Sequence, residues 1–158
     1  MKTIIAYTSR YGCTEKAANL LKSSMGGHID VVNLIHDKEL SLTAYDTVIL
    51  GGSIYYGKIQ KEMTAFVNKI KPQLSDKRVG LFICAGMKGD QAAQELWTAF
   101  PEDLLLSASA IEVFGDEVYH DKLTLMDKFV LRMVGGKGKK SQGLSVEAIE
   151  RFASAMKA

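Results

Sequence analysis

An α/β fold is predicted, with a parallel sheet covered by helices on both faces. Three observations predict it. Apolar runs of strand length alternate with segments of helical spacing along the chain. Turns rich in glycine or hydroxyl residues separate them. The 158 residues, 47% hydrophobic and 24% charged, suit one domain with a full core. A single domain over residues 1–158 is expected.

Residues 3–7 read as the first strand. Residues 14–25 follow as a helix, with Ala17, Ala18, Leu21 and Met25 on one face and Gly26-Gly27 as its stop. Residues 29–34 alternate as an edge strand does, and 36–44 read as a short helix or loop. A central strand over 47–50 is closed by Gly51-Gly52. Residues 60–74 form a helix through Met63, Phe66, Val67, Ile70 and Leu74. A fourth strand covers 79–84. The next helix, 90–100, turns Ala93, Leu96, Trp97 and Phe100 inward, with Trp97 as core and Asp90 as its N-cap. Residues 107–113 give a fifth strand. Residues 145–156 give the closing helix, striped by Val146, Ile149, Phe152, Ala153 and Met156.

The irregular part is 114–143, between the fifth strand and the last helix. It holds a helix signal over 123–134, ended by Gly135-Gly136-Lys137-Gly138-Lys139-Lys140. A structureless loop of this length is unusual inside a compact domain, so the fifth strand is expected to be extended or interrupted here.

Composition excludes several classes. No apolar run reaches the ~18 residues of a spanning helix, and the chain opens on a strand rather than a signal peptide. Cys13 and Cys84 form no C-x-x-C pair, which speaks against a disulfide framework or metal site and for small buried fillers. A cytoplasmic location is the expectation. A formal charge of +2 makes no case for nucleic acid. His28, His36 and His120 show no ligand spacing. His120, beside Tyr119, reads as a solvated loop histidine, with a proton-donor role as the alternative.

The chemistry is expected at the carboxyl ends of the strands, where open parallel sheets bind ligands. Three loops leave those ends. The first, Thr8-Ser9-Arg10-Tyr11-Gly12-Cys13-Thr14, crowds hydroxyls around one glycine and opens a helix. Backbone N–H groups and the positive helix end then converge on one spot, which suits a phosphate. It holds no lysine at a nucleotide-clamping position, so a monophosphate fits better than a triphosphate. The second loop carries Ser53, Ile54, Tyr55, Tyr56 and Gly57, an aromatic pair suited to a planar ligand, with Tyr56 preferred for its place beside Gly57. The third, Ala85-Gly86-Met87, offers backbone groups to the ligand's edge, with Met87 packing nearby.

These residues carry a resemblance. Ser9-Arg10-Tyr11-Gly12-Cys13-Thr14-Glu15 is similar to the flavodoxin phosphate loop, with Cys13 in place of the usual Asn and Tyr11 of a usual Thr. Gly52-Ser53-Ile54-Tyr55-Tyr56-Gly57 resembles the second flavodoxin loop, in which an aromatic flanks the isoalloxazine and a glycine lies beside flavin N5. The resemblance implies a flavodoxin-like three-layer sandwich of strand order 2-1-3-4-5, with FMN at the switch point between strands one and three. It also implies a backbone flip at Gly57 that turns a carbonyl toward N5–H of reduced flavin.

A closer resemblance is to the menaquinone-dependent protoporphyrinogen oxidases, a flavodoxin-like family. It rests on Thr8-Ser9-Arg10, on Ser53-Ile54 with Tyr56-Gly57, and on Met126-Asp127-Lys128-Phe129-Val130-Leu131-Arg132-Met133-Val134-Gly135-Gly136. The third loop is shorter than in that family. Two functional classes follow. One is an FMN electron carrier between redox partner proteins; the other is an FMN enzyme acting on a quinone or porphyrinogen. Carrier flavodoxins tend to be acidic, whereas this chain is slightly basic. The segment 123–140, apolar on one face and basic on the other, reads as a helix packed on its own domain, with peripheral contact to an anionic membrane as the alternative. Receiver domains, C-x5-R phosphatases and G-x-G-x-x-G dinucleotide folds lack their defining residues here: Thr8-Ser9 and Gly51-Gly52 stand where the first needs acids, and Asn19 lies six after Cys13.

Overall fold

The computed structural model of the chain describes residues 2–9, 12–37, 39–86, 89–116 and 143–157. Strands β1 (Lys2–Thr8), β2 (His28–Asn33), β3 (Thr47–Tyr55), β5 (Arg78–Cys84) and β6 (Ala110–Val113) form a parallel sheet of order β2-β1-β3-β5-β6. This is the expected order, renumbered because a short β4 (Lys58–Ile59) pairs antiparallel with the end of β3. Helices α1 (Cys13–Met25), α2 (Lys61–Ile70), α3 (Gly89–Ala99), α4 (Glu102–Ser107) and α5 (Val146–Lys157) flank it.

Two apolar clusters hold the layers together. Ile4, Ala6, Val48, Leu50, Leu81 and Ile83 turn to one side and meet Met63, Phe66 and Ile70 of α2 and Leu96 of α3. Ile5, Tyr7, Ile49 and Phe82 turn to the other and meet Ala17, Ala18 and Leu21 of α1 and Ile149 and Phe152 of α5. Alternate strand residues serve opposite faces, so both parities are apolar, as a sheet covered twice requires. Each large side chain buried this way contributes about 1.5–3 kcal/mol. Phe82 stacks on Phe114 with ring centroids 4.5 Å apart, and Phe152 meets Phe114 edge-on at 5.3 Å.

The strand beginning at Thr47 does not close at Gly51-Gly52 but runs on to Tyr55. A Cβ on Gly51 would fall 2.0 Å from Phe82 Cζ. The glycine thus clears space for the neighbouring strand's aromatic ring.

Other boundaries also move. The fifth sheet strand starts at Ala110, not at 107, because Pro101 opens a helical turn that buries Leu104 and Leu105 together. After Val113 the strand is interrupted at Phe114, whose side chain is fully buried among Phe82 and Phe152. Strand β7 (Gly115–Asp116) then pairs antiparallel with β8 (Gly143–Leu144). The expected helix at 123–134, its basic face, Tyr119 and His120 lie outside the described residues.

Residues 39–44 contain turns and no helix, with Leu42 as their buried anchor. Trp97 is not core: it is 44% exposed, and Ala93 is exposed with it. The buried stripe of α3 is Ala92, Leu96 and Ala99, which places position 97 about 100° off the core face. Val146, the first residue of α5, is exposed, and Ala148 joins the buried stripe instead. Asp90 is not the cap of α3; the helix begins at Gly89 and Asp90 lies in its first turn.

Candidate functional site

Sheet register brings three strand ends level. Thr8 lies opposite Gly52, and Ser53 lies opposite Cys84. The loops that follow therefore open at one edge of the sheet.

At the first of them, α1 starts from Gly12, whose φ of 93° is a left-handed conformation that glycine takes without a Cβ clash. The Gly12 N–H donates to Ser9 Oγ at 3.0 Å, which folds the loop back on itself. The N-cap itself is Gly12, which offers no side-chain cap, although the expected start is rich in hydroxyls. The N-cap is thus a glycine rather than a Ser or Thr. The first-turn N–H groups of a helix have no intrahelical acceptor, and the helix dipole adds positive potential there. Burial, and secondarily the Glu15 carboxylate in this turn, pushes the Tyr7 phenol above its ordinary value.

The second loop is a β-hairpin. Tyr55 pairs with Lys58 and Ile54 with Ile59. Tyr56 (φ 53°) and Gly57 (φ 77°) form the two-residue turn between them. Positive φ at both central positions is the geometry that matches the twist of a tight hairpin. Glycine accepts it freely; a tyrosine there costs about 1–2 kcal/mol. The Tyr56 ring is 56% exposed and meets Tyr55 edge to face, with centroids 4.3 Å apart.

Gln60, directly after the hairpin, ties these parts together. The buried Thr8 hydroxyl donates to Gln60 Oε1 at 2.7 Å. The Ser53 N–H donates to the same oxygen at 3.1 Å. On the other side of Ser53, its hydroxyl contacts that of Thr14. Gln60 Nε2 is buried with no hydrogen-bond partner among the described residues. Such an orphan donor costs about 1–3 kcal/mol, and a bound ligand or water in the adjacent space would relieve it. Gln60 was missed by sequence reasoning. Its signal was a Gln at the N-cap of a strongly periodic helix, where Ser, Thr, Asp or Asn is usual.

A cleft of about 550 Å³ lies beside these groups, within the range of small-molecule sites. Ser9, Ile35, Tyr55, Ile59 and Gln60 line it, and Lys58, Lys61 and Glu62 add charge. A smaller cleft of about 340 Å³, floored by Leu34, Ala65 and Phe66, touches none of the three loops.

Of the expected site residues, Ser9, Gly12, Thr14, Ser53, Tyr55, Tyr56 and Gly57 come together at this edge. Thr8 is present with its hydroxyl committed to Gln60. The Cys13 side chain is buried in the cluster with Tyr7 and Phe82. Ile54 likewise packs its side chain on the core. Ala85 is buried and donates its N–H to Gly115 O at 2.9 Å, while Gly86 is exposed. Arg10, Tyr11 and Met87 lie outside the described residues. Cys84 is buried and, like Cys13, carries no disulfide. On α3, which packs on β4, Glu95 Oε1 is buried without a partner among the described residues, and burial raises its carboxyl above the usual range.

Comparison with known proteins agrees with this geometry. The flavodoxin domain family profile matches residues 4–144. A stretch of 78 residues is 35% identical to Escherichia coli protoporphyrinogen IX dehydrogenase [quinone], and takes in 48% of this chain and 43% of that protein. The chain thus aligns with less than half the length of the curated relatives it matches. Among solved structures, Bacillus cereus flavodoxin 2 is 25% identical with a TM-score of 0.62, covering 99% of this chain and 98% of that one. Oxidised flavodoxin 1 of the same organism has a TM-score of 0.63 at 15% identity, covering 99% and 97%. A Fusobacterium nucleatum flavodoxin variant bound to flavin mononucleotide has a TM-score of 0.57 at 12% identity, covering 99% and 96%. Members of the matched family bind FMN and carry electrons on it. The chain belongs to the flavodoxin domain family.

Proposed function

We propose that this chain holds FMN at the edge described above and works as an electron-transfer protein. The observation that carries the reading is the start of α1: a left-handed Gly12 as N-cap, which brings no side chain of its own to the helix end, with the Ser9, Thr14 and Ser53 hydroxyls gathered beside it. The residues present fit the cofactor. Backbone N–H groups of the loop, with the Ser9 and Thr14 hydroxyls, would bind a phosphate. Tyr56 would cover one face of the ring and exclude water. Gly57 would supply a backbone carbonyl near N5. The Ala85–Gly86 backbone would border the pyrimidine edge. When bound, FMN supplies one- and two-electron chemistry, and the protein's part is to orient it and tune its electronics.

The match to protoporphyrinogen IX dehydrogenase supports a second reading, an oxidoreductase that passes electrons between a small reduced substrate and a quinone. The slightly basic balance of the chain suits it as well. Redox partners are the common ground of both readings. No helix among the described residues is long and apolar enough to cross a membrane, so a quinone would be met at a membrane surface.

The test is an absorption spectrum of the full chain before and after adding FMN, with stepwise anaerobic reduction. Flavin absorbance reduced in two resolved one-electron steps supports the carrier. A single two-electron step favours the enzyme reading and directs assays to quinones and porphyrinogens. No flavin binding removes both.

A further inference from the structure

Gln60 stands where the hairpin meets the phosphate loop, and its amide orientation is set by chemistry. The Ser53 N–H can only donate, so the Gln60 atom 3.1 Å away must be the carbonyl oxygen. That oxygen also takes the Thr8 proton. Ser53 is thereby held from two sides, its backbone by Gln60 and its hydroxyl by Thr14.

Between two hydroxyls either oxygen can be the donor. A phosphate removes that freedom. It only accepts, so the single Thr14 proton turns to the phosphate, and the Thr14 oxygen then accepts from Ser53. The two hydroxyls align in one direction, Ser53 to Thr14 to phosphate, and each bond strengthens the next. The alignment requires Ser53 to stay within reach of Thr14. Its backbone is anchored by the Gln60 carbonyl, which is itself braced by Thr8 at the end of β1.

We propose that Gln60 is a positioning residue that sets the loop's affinity for phosphate through Ser53 and Thr14, without touching the phosphate itself. The proposal rests on the FMN reading above. It goes further in predicting that the residue after the hairpin governs recognition of the phosphate group rather than of the flavin ring.

FMN and riboflavin, which lacks the phosphate, are titrated against the flavin-free full chain and against Gln60→Met, Gln60→Glu and Ser53→Ala. The readout is the ratio of riboflavin Kd to FMN Kd. Gln60→Met and Ser53→Ala are expected to lower it about fivefold, the worth of one hydrogen bond. Gln60→Glu keeps an acceptor for Thr8 and Ser53 but adds a charge that repels phosphate through space, so its ratio is compared with wild type at high salt, where that repulsion is screened and the ratio is expected to stay within about twofold. A hairpin merely loosened by substitution weakens both ligands alike; an unchanged ratio in Gln60→Met and Ser53→Ala overturns the proposal. An equal fall in Gln60→Glu at high salt overturns it too. Should Gln60→Met not fold, Ser53→Ala, which removes one oxygen atom, decides alone. Failure of the FMN reading is separate and visible first, as wild-type protein that binds neither flavin, and it removes the proposal with it.

Discussion

The rings of Tyr55 and Tyr56 meet edge to face, with centroids 4.3 Å apart and an interplanar angle of 76°. One planar ligand can therefore lie flat on only one of them. Tyr56 is the more exposed and stands at the turn itself, in a conformation that tyrosine resists. A strained residue in a tight turn is worth its cost where it serves a site.

Tyr56→Gly is accordingly expected to act in two directions. Losing the left-handed tyrosine stabilises the flavin-free chain by about 1 kcal/mol, read by urea denaturation. Losing the ring weakens FMN binding about tenfold, since an aromatic contact and its buried area go together. An affinity equal to wild type would assign the wall to another residue.

Thr14→Ala removes the hydroxyl that faces Ser53 and leaves the α1 backbone in place. FMN affinity should fall about tenfold, one charge-assisted hydrogen bond, while riboflavin affinity stays level. Gly12→Val forces a β-branched residue to φ 93° and should lose FMN binding more completely. Equilibrium titration of both variants checks the phosphate-loop assignment, and unchanged affinity in both contradicts it.

Gly51→Ala tests the packing that shapes the site's floor. Its new Cβ would fall 2.0 Å from Phe82 Cζ, inside a fully buried aromatic cluster. Overpacking there should destabilise by about 3 kcal/mol or more. Gly26→Ala is the contrast: open space surrounds that position, and only φ 67° resists the side chain, at about 1 kcal/mol. Thermal unfolding of the two variants separates lack of room from backbone strain.

At the amino-terminal ends of the strands, Tyr45 donates to Asp30 Oδ2 at 2.6 Å. That bond pushes the Tyr45 phenol up from its ordinary 10.0 to about 12. A raised pKa contributes stability that is complete below the unfolded value and is lost as pH climbs through the folded one. The loss falls between about pH 10 and 12. The same bond, with help from Lys2, lowers the Asp30 carboxyl, whose contribution is present above the ordinary carboxylate range and fades as acid protonates it in the fold. Tyr45→Phe should flatten the alkaline limb and weaken the acid one in a stability–pH profile. A profile identical to wild type would show the bond to be neutral.

Much of this molecule was legible in its residues. Alternating apolar runs and helical stripes predicted the five sheet strands and the helices that cover them, because each buried face must repeat with the period of its element, and the resemblance of the loops implied their order. Ser9-Arg10-Tyr11-Gly12-Cys13-Thr14 announced an anion loop, because local backbone chemistry decides how a helix begins. Other features depended on neighbours distant in sequence. Trp97 and Val146 are apolar yet exposed, since a stripe's angular edge is set by what packs against it. The passage of β3 through Gly51-Gly52 into a hairpin depended on Phe82 filling the space those glycines leave. Gln60 carries no motif at all; its role arises only when Thr8 and Ser53, 52 and 7 residues away, converge on one oxygen. The sequence alone thus determined the main strands and helices and which loop is the candidate for a phosphate, because those follow from local periodicity and backbone donors. Only the tertiary structure decided which polar groups hold that site in shape, because a hydrogen bond between distant residues exists only after the sheet has set their register.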